Sequence, residues 1–197
     1  LVATLVVFLL SSHVAGIAQS VQADYSVPES AVPQFNECLA LFERYPDITG
    51  PTLDLLDGGR IIIFANNRME NYATDWPDGS YHVHWDPSSE YNYYSDDGSV
   101  IPSTPCDRLF HELYHVYEMM NGTFSREFCA GSGIETKEVH AVRAQNRLRE
   151  AMGLPPRMHY GTERLPTGDC NAPAVTPTSC TGPHCGESNG DPHLRTL

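Results

Sequence analysis

The segment from Thr104 to Gly122 constrains the fold most, because it carries helix signals at both ends and a histidine pair between them. Thr104 is suited to cap a helix, Pro105 to occupy its first position, and Gly122 to follow its last residue. Between these signals lies the sequence HELYH, residues 111–115. The pattern predicts one helix from Pro105 to Asn121.

The two histidines of this predicted helix are four positions apart, so both imidazoles project from one face, with Glu112 beside them. A hydrolytic zinc site needs two neutral nitrogens on a rigid scaffold and a carboxylate that accepts a proton from water. We therefore predict that His111 and His115 bind zinc and that Glu112 is the general base. The alternative is an amphipathic helix with two surface histidines. Apolar neighbours favour a rigidly packed helix: Leu109, Phe110, Leu113 and Val116.

The third zinc ligand is less well defined by sequence. A metzincin would have His at residue 121, which is Asn, and a deuterolysin would have Asp at residue 165, which is Leu. A glutamate on the next predicted helix, residues 134–152, remains. Glu138 ranks first because its helix face continues through mostly apolar residues, and Glu135 ranks second.

Three segments together resemble a known family: HELYH, EVHAVRAQNRLR and GLPPRMHY. They look like the bacterial effector zinc metallopeptidases, which include kinase-cleaving type III effectors and toxin domains of large secreted proteins. The resemblance is best over Leu109 to Tyr160. It implies His111, His115 and Glu138 as zinc ligands, Glu112 as general base, and a supporting motif of Asn146, Arg149, Arg157 and Tyr160. This chain departs from many relatives in having Gln145 before the Asn and a shorter segment ahead of it.

Three further side chains are candidates for the site. The phenol of Tyr160 is able to donate a hydrogen bond to the oxyanion of a tetrahedral intermediate, or Tyr160 is a packing residue after a Pro-Pro turn. His82 and His84 lie on a predicted strand and either reach the site or, as we expect, sit on its polar face.

The rest of the chain predicts an α+β fold, a zincin-like metallopeptidase with a small twisted sheet. A helix is expected around Phe35 to Phe42, a buried strand from Arg60 to Phe64, and a half-buried strand from Tyr81 to Trp85. The polar, Tyr-rich stretch from Tyr91 to Gly98 is predicted to be a loop. After Leu165 the chain has hardly any large apolar residues, which predicts a loop or disulfide-tied tail.

The first residues, LVATLVVFLL, are apolar and too short to span a bilayer, and small residues follow. We predict a signal peptide over residues 1–23, truncated at its start, a metallopeptidase domain over 24–165 and a tail over 166–197. Secretion would allow the six cysteines to form disulfides. The predicted pairs are Cys106 with Cys129 and one bridge within the trio Cys170, Cys180 and Cys185.

The formal net charge of −13 argues against nucleic acid or an anionic membrane as a partner, because both require a basic surface. The predicted function is a secreted, extracellular, monomeric zinc metalloendopeptidase that binds one zinc and cleaves a protein or peptide substrate. A role as a toxin or effector rests on analogy alone. The alternative is a non-catalytic secreted protein that binds zinc structurally or not at all and recognises partners through Tyr91 to Tyr94.

Overall fold

The structure is a computed structural model that describes residues 21–23, 29–65 and 71–170. Most of the predicted signal peptide and most of the tail, including Cys180 and Cys185, lie outside the described residues. The predicted domain boundaries therefore stay predictions. No helix in the described ranges is both long and apolar enough to cross a membrane.

Helices and short strands are mixed along the chain, so the predicted α+β class is confirmed. The elements follow in the order β1 (Val21–Ala23), a 3₁₀ turn (Glu29–Ala31), α1 (Val32–Phe42), α2 (Pro46–Leu56), β2 (Arg60–Ala65), β3 (Tyr72–Asp75), β4 (Ser80–Trp85), β5 (Asn92–Tyr94), β6 (Val100–Pro102), α3 (Pro105–Asn121), α4 (Thr136–Ala151), β7 (His159–Tyr160) and β8 (Glu163–Arg164).

The main sheet has the strand order β1-β2-β4-β3, with β1, β2 and β4 parallel and β3 antiparallel to β4. Alternating side chains are buried in β4, as its period-two pattern predicts, and also in β2, which was predicted simply as a buried strand; these side chains face the core: Ile61, Ile63, Val83 and Trp85. The apolar side of α3 joins the same core through Leu109, Phe110, Leu113 and Val116. The sheet therefore supports the helix that carries HELYH.

Helix α3 has the predicted ends. The Thr104 hydroxyl accepts a hydrogen bond from the Asp107 amide at 3.1 Å, and the Asp107 carboxylate accepts one from the Thr104 amide at 3.2 Å. At the other end Gly122 has φ +70°, a left-handed conformation that glycine adopts without strain. Helix α4 begins at Thr136 and ends at Ala151, close to the predicted limits. Its contacts with α3 bring the two helices side by side.

The stretch from Tyr91 to Gly98 is not the loop that its composition predicts. Residues Asn92–Tyr94 form β5, which pairs with β6 (Val100–Pro102) in an antiparallel hairpin. Tyr93 is only 6% exposed. The strand was missed because its stability depends on pairing and on burial against α4, neither of which leaves a local signal in polar sequence.

The predicted disulfide between Cys106 and Cys129 is wrong. Cys106 is bonded to Cys38, which ties α1 to the start of α3, and Cys129 is bonded to Cys170, which ties the end of the described chain to the segment before α4. Cys106 and Cys129 are not bonded to each other because each already has another partner, on α1 and at the end of the described chain respectively. Because Cys170 pairs outside the tail, the predicted bridge within the trio would have to join Cys180 to Cys185, and it stays a prediction since both lie outside the described residues.

Candidate metal centre

Three buried ligand atoms converge between α3 and α4. The Nε2 atom of His111 lies 3.1 Å from Oε2 of Glu138, the Nε2 atom of His115 lies 3.4 Å from the same oxygen, and the two Nε2 atoms are 3.2 Å apart. All three residues are less than a tenth exposed. Within the described ranges they are the one group of histidine, cysteine and acidic side chains with metal-ligand geometry.

The chemistry of this group fits zinc. Two imidazole nitrogens and one carboxylate oxygen match the donor set of a catalytic zinc site, which keeps a fourth position open. The buried Glu112 carboxylate lies next to this group, where a bound cation would offset the cost of burying its charge. Burial lowers the pKa of His111 to about 4, although the hydrogen bond with Glu138 raises it, so His111 is in the neutral form that binds metal.

Glu135, the second candidate for the third ligand, does not join the group. It occupies the position before α4, and its carboxylate lies 3.1 Å from Nζ of Lys137 with about a third of the side chain exposed. Glu138 is one turn further along, where its side chain faces α3. The structure thus brings Glu138, and not Glu135, to the two histidines.

Lys137 also contacts Glu138, and the sequence did not predict a role for it. Its Nζ atom donates to Oε1 of Glu138 at 2.8 Å, while Oε2 faces the histidines. Burial opposes the charge of Glu138, but the hydrogen bonds and charges of His111 and His115 lower its pKa well below the usual range. With Oε1 occupied by Lys137, Oε2 is the oxygen available to a metal.

Glu118 links His115 to α4 at the Nδ1 side of the His115 ring, opposite the Nε2 atom that faces the other ligands. One of its oxygens lies 3.6 Å from Nδ1 of His115, and the other accepts a hydrogen bond from Nδ1 of His140 at 2.8 Å. Glu118 is 1% exposed. A carboxylate on the far nitrogen of a metal-binding histidine orients the ring and strengthens it as a ligand.

We expect Glu118→Gln to weaken zinc binding about 10- to 100-fold, because an amide orients the imidazole of His115 less strongly. Competition with a chelating dye measures the zinc affinity. The matched control is Glu127→Gln, an exposed residue on the segment between the same two helices, and its affinity should equal that of the wild type. Equal zinc affinity in Glu118→Gln would mean that Glu118 only stabilises the fold.

Glu112 is 6% exposed and lies beside the three converging residues. It lines both cavities that open onto them, one of about 70 Å³ and one of about 380 Å³. Burial raises the pKa of its carboxyl to about 7, against the lowering effect of His115. The carboxyl is therefore placed to exchange a proton with a molecule in either cavity.

Tyr160 is held at the same cavities by the segment that follows α4. Asn146 accepts a hydrogen bond from the Arg157 amide at 2.7 Å and donates one to the Arg157 carbonyl at 2.8 Å. The guanidinium of Arg157 lies 5.0 Å from the centre of the Tyr160 ring. Burial and the charge of Glu138 raise the pKa of Tyr160, so its phenol keeps its proton. The supporting motif implied by the resemblance thus positions Tyr160.

A buried ion pair joins the two helices below the site. Arg149 donates to the Asp107 carboxylate, and both side chains are fully buried. Gln145 donates to Asp107 at 3.1 Å and to the Tyr93 hydroxyl at 2.9 Å. Asp107 also belongs to the cap of α3, where it accepts a hydrogen bond from the Thr104 amide. The ion pair requires α4 to lie beside α3, so no local pattern indicates it.

His82 and His84 do not line either cavity beside the converging residues. His82 stacks on Trp76 with ring centres 4.5 Å apart, and His84 stacks on Tyr72 at 4.2 Å. Both are half-buried on the sheet face opposite the core. The polar face that the sequence predicts for them is in fact an aromatic layer.

Comparison with known proteins identifies the family of this chain. The family of effector proteins Peptidase_M91 matches residues 49–160, which is more than half of the chain and includes every candidate site residue. This chain belongs to that family. As a member of this effector family it is a zinc metallopeptidase, and its substrate is a protein.

The chain is also similar to the crystal structure of the Salmonella zinc metalloprotease effector GtgA. The two share 17% sequence identity, the match covers 73% of this chain and 81% of that chain, and the TM-score is 0.42. No curated protein matches the chain.

Proposed function

We propose that this effector-family member is a secreted zinc metalloendopeptidase in which His111, His115 and Glu138 bind the metal. One observation carries the assignment: three buried ligand atoms lie 3.1 to 3.4 Å from one another, with the Glu112 carboxylate beside them at a cavity. A structural zinc site has no use for Glu112, whereas hydrolysis requires a base at that position.

The proposed mechanism divides the chemistry among the side chains. Zinc, when bound, supplies a Lewis acid and lowers the pKa of water. Glu112 accepts the proton of the attacking water and passes it to the leaving amine. Tyr160 keeps its phenolic proton and donates a hydrogen bond to the oxyanion. Glu118 and Lys137 hold His115 and Glu138 in place.

Strand β3 offers a site for the substrate backbone. It lies at the end of the described sheet, paired only with β4 there, and Tyr72 and Ala73 line the small cavity at Glu112 and Glu138. An extended peptide is able to pair with such an edge strand. This arrangement supports cleavage within an extended segment of a protein chain.

Secretion is supported by the described disulfides, since such bonds persist in oxidising compartments. The signal peptide over residues 1–23, the monomeric state and the absence of nucleic-acid and membrane partners stay predictions. Recognition through Tyr91 to Tyr94 without catalysis is not favoured, because Tyr93 is buried in contact with Gln145.

The proposal is tested with a proteome-derived peptide library incubated with the zinc-loaded protein, with new termini identified by mass spectrometry. We expect internal cleavages that stop when a zinc chelator is added and resume when zinc is restored. Folded, zinc-loaded protein that cleaves nothing, or cleavage that survives removal of the metal, would contradict the proposed function.

A further inference from the structure

The larger cavity beside Glu112 has a cationic and aromatic wall. Its volume is about 380 Å³, and it continues from His111 and Glu112 away from the other candidate ligands. Six of its lining residues define this wall: Tyr72, Tyr91, Tyr93, Tyr160, Arg108 and Arg157. The chain has a net charge of −13, yet two arginines line this one cavity. Their positive charge favours an anionic ligand there.

Arg108 is buried without a carboxylate partner. It is 4% exposed, and its guanidinium donates to the Ser103 hydroxyl at 2.6 Å and to the Asp86 carbonyl at 3.1 Å, both neutral acceptors. Its Nε atom is buried and has no hydrogen-bond partner. A buried charge with an unused donor is costly unless a ligand completes its partners.

Arg157 is likewise bonded only to neutral acceptors. It donates to the His159 carbonyl at 2.8 Å and, at 3.4 Å, to the side-chain oxygen of Gln145. Its guanidinium lies 4.4 Å from the centre of the Tyr93 ring and 5.0 Å from that of Tyr160. This stacking holds the group at the cavity wall.

Three other arginines of the chain have a carboxylate partner, whereas Arg143, like these two, donates only to neutral acceptors. Arg149, Arg60 and Arg164 each form an ion pair with an aspartate. Within the described ranges neither Arg108 nor Arg157 forms one. Glu112 also lines the cavity and adds at most one negative charge, so the two guanidiniums leave the cavity lining with a net positive charge.

We propose that this cavity is the subsite for an acidic side chain of the substrate, whose carboxylate binds Arg108 and Arg157. The inference rests on the proposed function and names the substrate class for that same site. Guanidinium groups present fixed pairs of donors that suit a carboxylate, and hydrogen bonds between two charged groups are stronger than those between neutral ones. A peptide with Asp or Glu next to the scissile bond is therefore the preferred substrate.

The test compares matched peptides. Sites cut in the library define a cleaved sequence, and the acidic residue beside the cut is replaced by its amide, Asp by Asn or Glu by Gln. We expect kcat/KM to be roughly 10- to 100-fold higher for the acidic peptide, because hydrogen bonds between charged groups are lost with the amide. A ratio near one in the wild type overturns the inference.

Substitutions of the two arginines test whether they cause the preference for the acidic peptide. In Arg157→Gln and in Arg108→Gln we expect the ratio of acidic to amide peptide to fall toward one, whereas Arg60→Gln, a surface control, keeps the wild-type ratio. Because both peptides are measured on one preparation, partial unfolding does not change the ratio. A full preference in both cavity variants would overturn the inference even if the wild type prefers acidic peptides.

Binding gives a second readout that does not depend on turnover. On the Glu112→Gln protein, fluorescence anisotropy is expected to show tighter binding of the acidic peptide by the same factor, and equal affinity for both peptides overturns the inference. Zinc-loaded wild type that cuts no peptide contradicts the proposed function itself. Cutting without acidic preference contradicts only the subsite.

Discussion

Glu112→Gln should abolish cleavage while leaving zinc bound. We expect kcat to fall about 10²- to 10⁴-fold, because the amide is nearly the same size as the carboxylate but is unable to accept the proton of the attacking water. Zinc content should stay at the wild-type level, since Glu112 does not belong to the group of converging ligand atoms. Single-turnover cleavage of a library-derived peptide and metal analysis of the same sample measure the two quantities.

The matched control for this variant is Glu150→Gln, which makes the same chemical change at an exposed position near the end of α4. Its rate should equal that of the wild type. Retained cleavage in zinc-loaded Glu112→Gln would exclude Glu112 as the base. Loss of zinc together with activity would instead mean that the carboxylate supports the metal site.

Glu138→Ala should remove the metal, and Glu135→Ala should not. Glu138 supplies the oxygen that lies 3.1 Å from His111 and 3.4 Å from His115, whereas Glu135 contacts Lys137 at the surface. Loss of an outer partner of a ligand costs about 10- to 100-fold in metal affinity, so loss of the ligand itself should exceed about 100-fold. Mass spectrometry of the folded protein measures the zinc content directly.

A second substitution separates ligand loss from a folding defect. Glu138→Gln keeps the side-chain volume and its contact with Lys137, so circular dichroism should match the wild type while zinc affinity falls. If both Glu138 variants retained zinc, or if Glu135→Ala lost it, Glu138 would not be the third ligand. His111→Ala serves as the reference for complete loss of binding.

Helix α3 and the spacing of its histidines were determined by local sequence. The capping box of Thr104 and Asp107, Pro105 at the first position and Gly122 at the end act within one or two turns, and the four-residue spacing puts both imidazoles on one face of any helix. The alternating strand β4 was predictable for the same reason, because a period of two belongs to the strand itself.

Helix α2 and strand β3 were not predicted. Pro51 lies inside α2, where proline normally disfavours a helix, and the buried hydrogen bond from Thr49 to the Phe42 carbonyl helps to tie α2 to α1. Strand β3 has no buried face of its own and depends on pairing with β4. In each case contacts between elements outweigh weak or opposing local preferences.

By itself, the sequence determined the HELYH helix, the α+β class, and a choice between Glu135 and Glu138 for the third ligand. The sequence ranked Glu138 ahead of Glu135, and the tertiary structure brings only Glu138 to the histidines, because one turn of α4 decides which of them faces α3. The tertiary structure also decided the disulfide partners and the two arginines at the cavity, which depend on distances between segments far apart in the chain. Local patterns record helix and strand geometry, whereas packing of one element against another sets these distances.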